Sequence, residues 1–146
     1  MGLALLNGDP PDLELKCYAN ERHTRLVNSP LKVKNQLILN TMLHSSSYCS
    51  SADEQPDDIE DLCFFCEKPA RTTAIVHLDL NSRAVGAIWV ARHEGNPYSK
   101  TDLIWLECLA DQVVIAIQHG LMTAQLQSFS IIEERGRIAR EMHDGL

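Results

Sequence analysis

Nothing after Pro97 interrupts a helix. The rest of the chain contains no proline, and Leu103, Leu106, Leu109, Ala110, Val113, Val114 and Ile117 recur at the spacing of one helical face. Ser99 stands ahead of them as a helix N-cap, and Asp102 at N3 completes an acidic version of the capping box. Tyr98 and Leu103 occupy the two positions of a hydrophobic staple. The run predicts one helix of about 45 residues, roughly 68 Å at 1.5 Å rise per residue. A domain built from so short a chain cannot cover a helix of that length. The first half is therefore predicted to pack on the domain. The second half, with Leu121, Ala124, Ser128 and Ile131 on one stripe, is predicted to form a weak coiled coil in a homodimer. The organisation that follows is a domain at residues 1–120 and a helical extension at residues 121–146.

Ahead of that helix the apolar period drops to two, the period of a half-buried strand. Leu3 to Leu6 is a short apolar run, and beyond Asn7-Gly8-Asp9-Pro10-Pro11 the residues Leu13, Leu15 and Cys17 alternate with Glu14 and Lys16. Two strands joined by a Gly/Pro turn account for both. Thr73 to Leu80 and Ala84 to Ala91 are rich in β-branched residues and flank Asn81-Ser82-Arg83, which predicts an antiparallel hairpin. Gly86 inside the second of these strands marks a bulge or a close backbone approach. Between the two strand pairs, Ser29-Pro30 has the form of an N-cap followed by proline at the first helical position, opening a helix that runs to Leu43. From Ser45 to about Pro69 the chain is polar and turn-rich, which predicts a long functional or ligand-covering loop. The fold class is α+β, a central antiparallel sheet with flanking helices and a long C-terminal helix. No helix precedes the first strand, so the segment is expected to begin inside a larger polypeptide.

Charge narrows the partners. The net charge is −7, and six acids with no base fall between Asp53 and Asp61. Phosphate contacts need clustered Lys and Arg, which argues against nucleic acid and anionic membrane. The acidic stretch also lacks the spacing and central glycine of a calcium loop. No apolar run approaches the ~18 residues of a membrane span, and no signal-peptide pattern opens the chain, so a cytoplasmic segment is expected. Five cysteines, an odd number, point there to thiol, metal or redox chemistry before structural disulfides. Cys63 and Cys66 are spaced to reach one metal, and Cys49 lies upstream in the same loop region. Cys17 or Cys108 would complete four soft sulfur ligands for zinc or an iron–sulfur cluster. A reversible Cys63–Cys66 disulfide and plain apolar packing are the alternatives. Cys108, beside Leu109, fits the core better than a ligand set, and His77 and His119 fit structural roles.

The last turns carry a histidine followed directly by an aspartate, His143 and Asp144, on a helix whose stripe continues through Ile131, Arg135, Ile138 and Met142. Imidazole changes charge near neutral pH, and a neighbouring carboxylate can fix its tautomer and raise its basicity. Such a nitrogen can act as a nucleophile towards phosphorus. The run Glu134-Arg135-x-Arg137-Ile138-Ala139-Arg140-Glu141-Met142-His143-Asp144 resembles the phosphoacceptor box of two-component sensor histidine kinases, in the form found where the partner is a NarL/LuxR-type response regulator. Gly136 stands at a variable position of that box, and Met142 replaces the commoner leucine. The resemblance implies that His143 takes the γ-phosphoryl group of ATP and passes it to an aspartate of the regulator. It implies that Asp144 orients and deprotonates His143, and that Arg140 and Glu141 help to dock partners. ATP would be bound by a domain absent from this chain, and the glutamine used for dephosphorylation would lie beyond Leu146. The chain is then a part of a histidine protein kinase that is not competent alone.

A second resemblance covers Thr72 to Gly120, which looks like the C-terminal half of a GAF domain. It is carried by the strand ending Val85-Gly86-Ala87-Ile88, a Pro-x-Ser lead-in, and then Asp102-Leu103, Leu106 and Leu109-Ala110-Asp111-Gln112-Val113. From Leu3 to Pro69 the resemblance rests on the order of elements. It implies a central sheet with helices on one face and a ligand pocket under long loops on the other, and it permits an iron–sulfur sensor. Asp61-Leu62-Cys63-Phe64 is similar to a motif of one bilin-binding GAF lineage, but the Cys-His pair that this lineage also needs is absent. Three functions follow. The chain is the sensory segment of a cytoplasmic histidine kinase, a stand-alone iron–sulfur, zinc or thiol redox module, or a dimerisation scaffold whose histidine is never phosphorylated.

Overall fold

The computed structural model describes residues 1–7, 12–19, 24–44, 47–50 and 70–145. Along the chain these form β1 (Gly2–Asn7), β2 (Asp12–Ala19), β3 (Thr24–Lys32), α1 (Gln36–Leu43), β4 (Ser47–Cys49), β5 (Thr72–Asp79), β6 (Ala84–Arg92) and α2 (Lys100–Asp144). The strands make a six-stranded sheet in the order β3-β2-β1-β6-β5-β4, with every neighbouring pair antiparallel. The chain divides into two compact units, Met1–Val113 and Val114–Leu146. The first holds the sheet, α1 and the start of α2; the second is the remainder of α2.

Alternation along the strands gives the sheet two buried faces. On one, Ala4, Leu15, Ile75, Ala87 and Trp89 cluster with Ile38 and Met42 of α1. On the other lie Ala74, Val76, Leu78 and Ile88, all buried. Ser47 and Cys49 share this second face, because they pair with Val76 and Ala74. Ser47 Oγ donates to Glu107 Oε1 at 2.5 Å, and Cys49 Sγ donates to the Tyr98 carbonyl at 3.1 Å. These bonds set the first turns of α2 over that face, where Leu106 and Ala110 are the buried residues of the helix.

The local devices read from the sequence take specific forms. The β5–β6 hairpin closes through Asn81 and Ser82, both at positive φ (54° and 62°), with Leu80 and Arg83 exchanging backbone hydrogen bonds. Two consecutive positive φ values are what a two-residue turn needs to match strand twist, and Asn tolerates them well. Gly86 marks a close approach: a Cβ there would stand 2.2 Å from the Ala4 carbonyl oxygen of the adjacent β1. At the start of α2, the Asp102 backbone N–H donates to Ser99 Oγ at 3.1 Å, and the Ser99 N–H donates to Asp102 Oδ2 at 2.8 Å. The reciprocal box is closed, and those bonds hold the Asp102 carboxyl below its ordinary pKa.

Three expectations are corrected. The helices do not share one face of the sheet: α1 packs on one and the first turns of α2 lie on the other. Ser29-Pro30 does not open a helix; it lies in β3, an edge strand. The two residues fall where the register with β2 breaks, between the pairs Leu15–Leu31 and Cys17–Leu26. An irregular edge strand tolerates a residue without an N–H. The helix starts later, at Gln36, with Asn35 as N-cap accepting from the Ile38 N–H at 3.2 Å. Cys108 is exposed, not core. It follows Leu106 by two residues, which places it about 200° round the helix from the buried side. The turn at residues 8–11 and most of the acidic loop lie outside the described residues.

Candidate functional site

The box around His143 occupies the last three turns of α2, where every described residue is exposed. Arg137 is its electrostatic centre. Its Nε and Nη2 reach both carboxylate oxygens of Glu134 at 2.9 and 2.7 Å, and Nη1 pairs with Glu141. The i,i+3 and i,i+4 spacings make these contacts available on any helix. The Arg137 guanidinium holds the Glu134 carboxyl below its ordinary range, and Glu134 raises the arginine in return. Arg140 Nε donates to the Gly136 carbonyl at 3.2 Å.

His143 Nδ1 lies 3.5 Å from Asp144 Oδ1, and the two side chains are 90% and 84% exposed. That separation exceeds a hydrogen bond, as expected for successive residues on a helix, whose side chains diverge by about 100°. The contact is electrostatic. It leaves Nε2 open to solvent and to any incoming reactant.

The cysteine set is dispersed. Cys17 is on β2 and Cys49 on β4, with three strands between them in the sheet order. At ~4.8 Å per strand the separation is about 19 Å, far beyond what one metal ion or cluster spans. A four-thiolate site containing both is not assembled. Cys63 and Cys66 lie outside the described residues. Burial, aided by the Asp102 charge, pushes the Cys49 thiol pKa up, and its proton is donated to the Tyr98 carbonyl. A redox-active or metal-ligating thiol needs the opposite bias. Among the described residues, no three His, Cys, Asp or Glu side chains are placed to hold a metal. His77 is half-buried on β5, on the same face as Ile75, while His119 is exposed on α2.

Sequence reasoning missed the junction between β4 and α2. Ser47 and Cys49 bond to it as above, Ser50 Oγ accepts from the Thr73 N–H at 2.8 Å, and the Arg92 guanidinium stacks 3.9 Å from the Tyr98 ring. A three-residue strand has too little pattern to be read in advance. Arg137 as ion-pair centre was also missed, although its spacing to Glu134 and Glu141 was a usable signal.

No family model matches this sequence, and no curated protein does. Among solved structures, the chain is similar to the GAF domain of a two-component sensor histidine kinase from Bacillus halodurans. The TM-score is 0.60 at 14% identity, over 84% of this chain and 83% of that one. The fold is GAF-like. The GAF-like sheet carries a C-terminal helix that ends in His143-Asp144. Among the described residues, no helix is long and apolar enough to cross a membrane.

Proposed function

We propose that this chain is the sensory segment of a cytoplasmic two-component histidine kinase, with His143 as phosphoacceptor and a NarL/LuxR-type response regulator as the next partner. The observation that carries this reading is the covalent continuity of a GAF-like sheet with one helix that ends in an exposed His143-Asp144 pair. In the reaction, Nε2 of neutral His143 attacks the γ-phosphorus of ATP. An N–P bond forms, the bond to the β,γ-bridging oxygen breaks, and ADP leaves with that electron pair. Asp144 orients the ring through Nδ1, takes the Nδ1 proton as positive charge develops on the imidazole, and returns it when the phosphoryl group leaves. The long, exposed contact is expected to tighten when a catalytic domain covers it. The phosphoryl group then passes to a regulator carboxylate, restoring neutral His143.

The sensory half of the reading is supported by the β4–α2 junction. Cys49 lies shortly before the acidic part of the sequence that bears Cys63 and Cys66, and it bonds directly to Tyr98, the residue before the N-cap of α2. A ligand or redox event at Cys63 or Cys66 would thereby act on the start of the helix whose far end presents His143. The chain would work as a homodimer through α2, with residues 1–120 as sensor and 121–146 as output.

Incubation with a purified ATP-binding domain of the same kinase subfamily and labelled ATP tests the proposal. The expected product is an acid-labile, base-stable label that disappears in His143→Gln. Absence of label on the wild type, or equal label on His143→Gln, overturns the phosphoacceptor assignment and leaves a binding module or scaffold.

A further inference from the structure

The arginines of the box around His143 divide by partner. Arg137 is engaged on both sides, by Glu134 and by Glu141. Arg140 has no carboxylate partner among the described residues, and its Nε donates to the Gly136 carbonyl at 3.2 Å. That bond anchors the guanidinium by its inner nitrogen. It leaves the outer fork, Nη1 and Nη2, unengaged among the described residues on an exposed stretch of helix.

Position round the helix separates the arginines further. At 100° per residue, Arg140 stands about 60° from His143 and one turn before it, with Gly136 about 20° away and Ala139 about 40° away on the other side. Glu134, Arg137 and Glu141 lie about 120–180° from His143, and Arg135 belongs to the stripe of Ile131, Ile138 and Met142. Arg140 is therefore the cation on the histidine's own side. Glycine and alanine keep the rest of that side low, and a Cβ at position 136 would meet nothing within 4 Å. Residues three apart on a helix are neighbours, about 5–6 Å between Cβ atoms, and the flexible arginine stem spans such a distance.

We propose that Arg140 binds the phosphoryl group at His143, its Nη1 and Nη2 donating to two phosphoryl oxygens as the N–P bond forms. This rests on the phosphoacceptor reading above and adds to it a group that touches the reacting atoms. While Nε2 attacks phosphorus, negative charge is spread over the three oxygens of the transferring group. The planar fork of an arginine matches two of them and keeps its charge at any working pH. Asp144 and Arg140 then act on different parts of one step: the carboxylate takes the Nδ1 proton, and the guanidinium stabilises the anionic phosphoryl group. The bond to the Gly136 carbonyl reduces the freedom that the guanidinium loses in doing so. Arg137 would first have to leave two carboxylates.

Phosphoramidate, a small phosphoryl donor that needs no second protein, tests this on the intact chain. A histidine nitrogen attacks phosphorus, the new N–P bond forms, the donor's own P–N bond breaks, and ammonia leaves with that electron pair. Phosphohistidine peptides are quantified by mass spectrometry. His119, exposed on the same helix with no charged residue within four positions, is the internal reference. The ratio of the His143 rate to the His119 rate should fall at least about threefold in Arg140→Gln. Arg140→Lys keeps the charge without the fork and should give an intermediate ratio. With ATP and the purified ATP-binding domain, where water is excluded, Arg140→Gln should slow labelling of His143 about tenfold or more. Circular dichroism should show unchanged helix content in both variants. An unchanged phosphoramidate ratio in Arg140→Gln overturns the proposal, and slowing with the ATP-binding domain alone then makes Arg140 a docking residue. Absence of label from ATP on the wild type overturns the phosphoacceptor reading instead, and the phosphoramidate ratio still decides the role of Arg140.

Discussion

Trp89, on β6, is 1% exposed, whereas Trp105, in the second turn of α2, is 71% exposed. Trp89 is held between strands: it pairs with Ile75 on one side and Gly2 on the other, and belongs to the cluster beneath α1. Trp105 lies on the side of α2 away from Leu106 and Ala110, the buried residues of the helix. The contrast extends to whole regions. The sheet completes its own core, while every described residue from 119 onward is exposed, Leu121, Met122, Leu126, Phe129, Ile131 and Ile132 included. A lone helix gains little from propensity and exposed ion pairs, so most helical stability comes from packing. One region carries its stability within itself, and the other draws on what it is packed against.

The largest test of that contrast is a pair of truncations. Trp89→Ala should cost about 3–5 kcal/mol in urea unfolding, and Trp105→Ala no more than about 0.5 kcal/mol at concentrations where the chain is monomeric. Comparable losses would break the comparison. The glycines sharpen it next. Gly86→Ala forces a methyl group against the Ala4 carbonyl and should cost about 1–3 kcal/mol. Gly136 has nothing within 4 Å of its would-be Cβ, so Gly136→Ala should raise helix content at 222 nm, worth up to about 1 kcal/mol. Ser99→Ala removes the N-cap and should cost about 1 kcal/mol, read in the thermal midpoint. The smallest effect is in acid. Arg137 holds the Glu134 carboxyl below its ordinary value of 4.5, so the stabilisation is complete above that value and fades as pH falls through the lower folded one. Helical signal should therefore decline in the acid range below about 4.5, and Glu134→Gln should remove that part of the decline; an unchanged profile would discount the pair.

What was legible in the sequence was local. The Asn81-Ser82 turn, the Ser99–Asp102 box and the period of α2 each depend on residues within four of one another, and each was read with its mechanism. Ser29-Pro30 misled because serine and proline punctuate an irregular edge strand as readily as a helix start, and only the pairing with β2 decides between them. The separation of Cys17 from Cys49 depends on strand order, which no spacing reveals. The place of His143 on a helix was readable; its 3.5 Å contact with Asp144 and its full exposure needed the structure.

The strand order has a kinetic consequence. β1 occupies the middle of the sheet, yet its second neighbour is β6, with Leu5 beside Gly86. Closing that pair joins segments roughly 80 residues apart, a contact of high sequence separation that slows folding relative to local hairpins. Until β6 has been synthesised and docked, one edge of β1 stays unpaired and open to the wrong strand. Synthesis rate, or a chaperone that shields Gly2–Asn7 in the interval, should therefore govern the yield of folded chain.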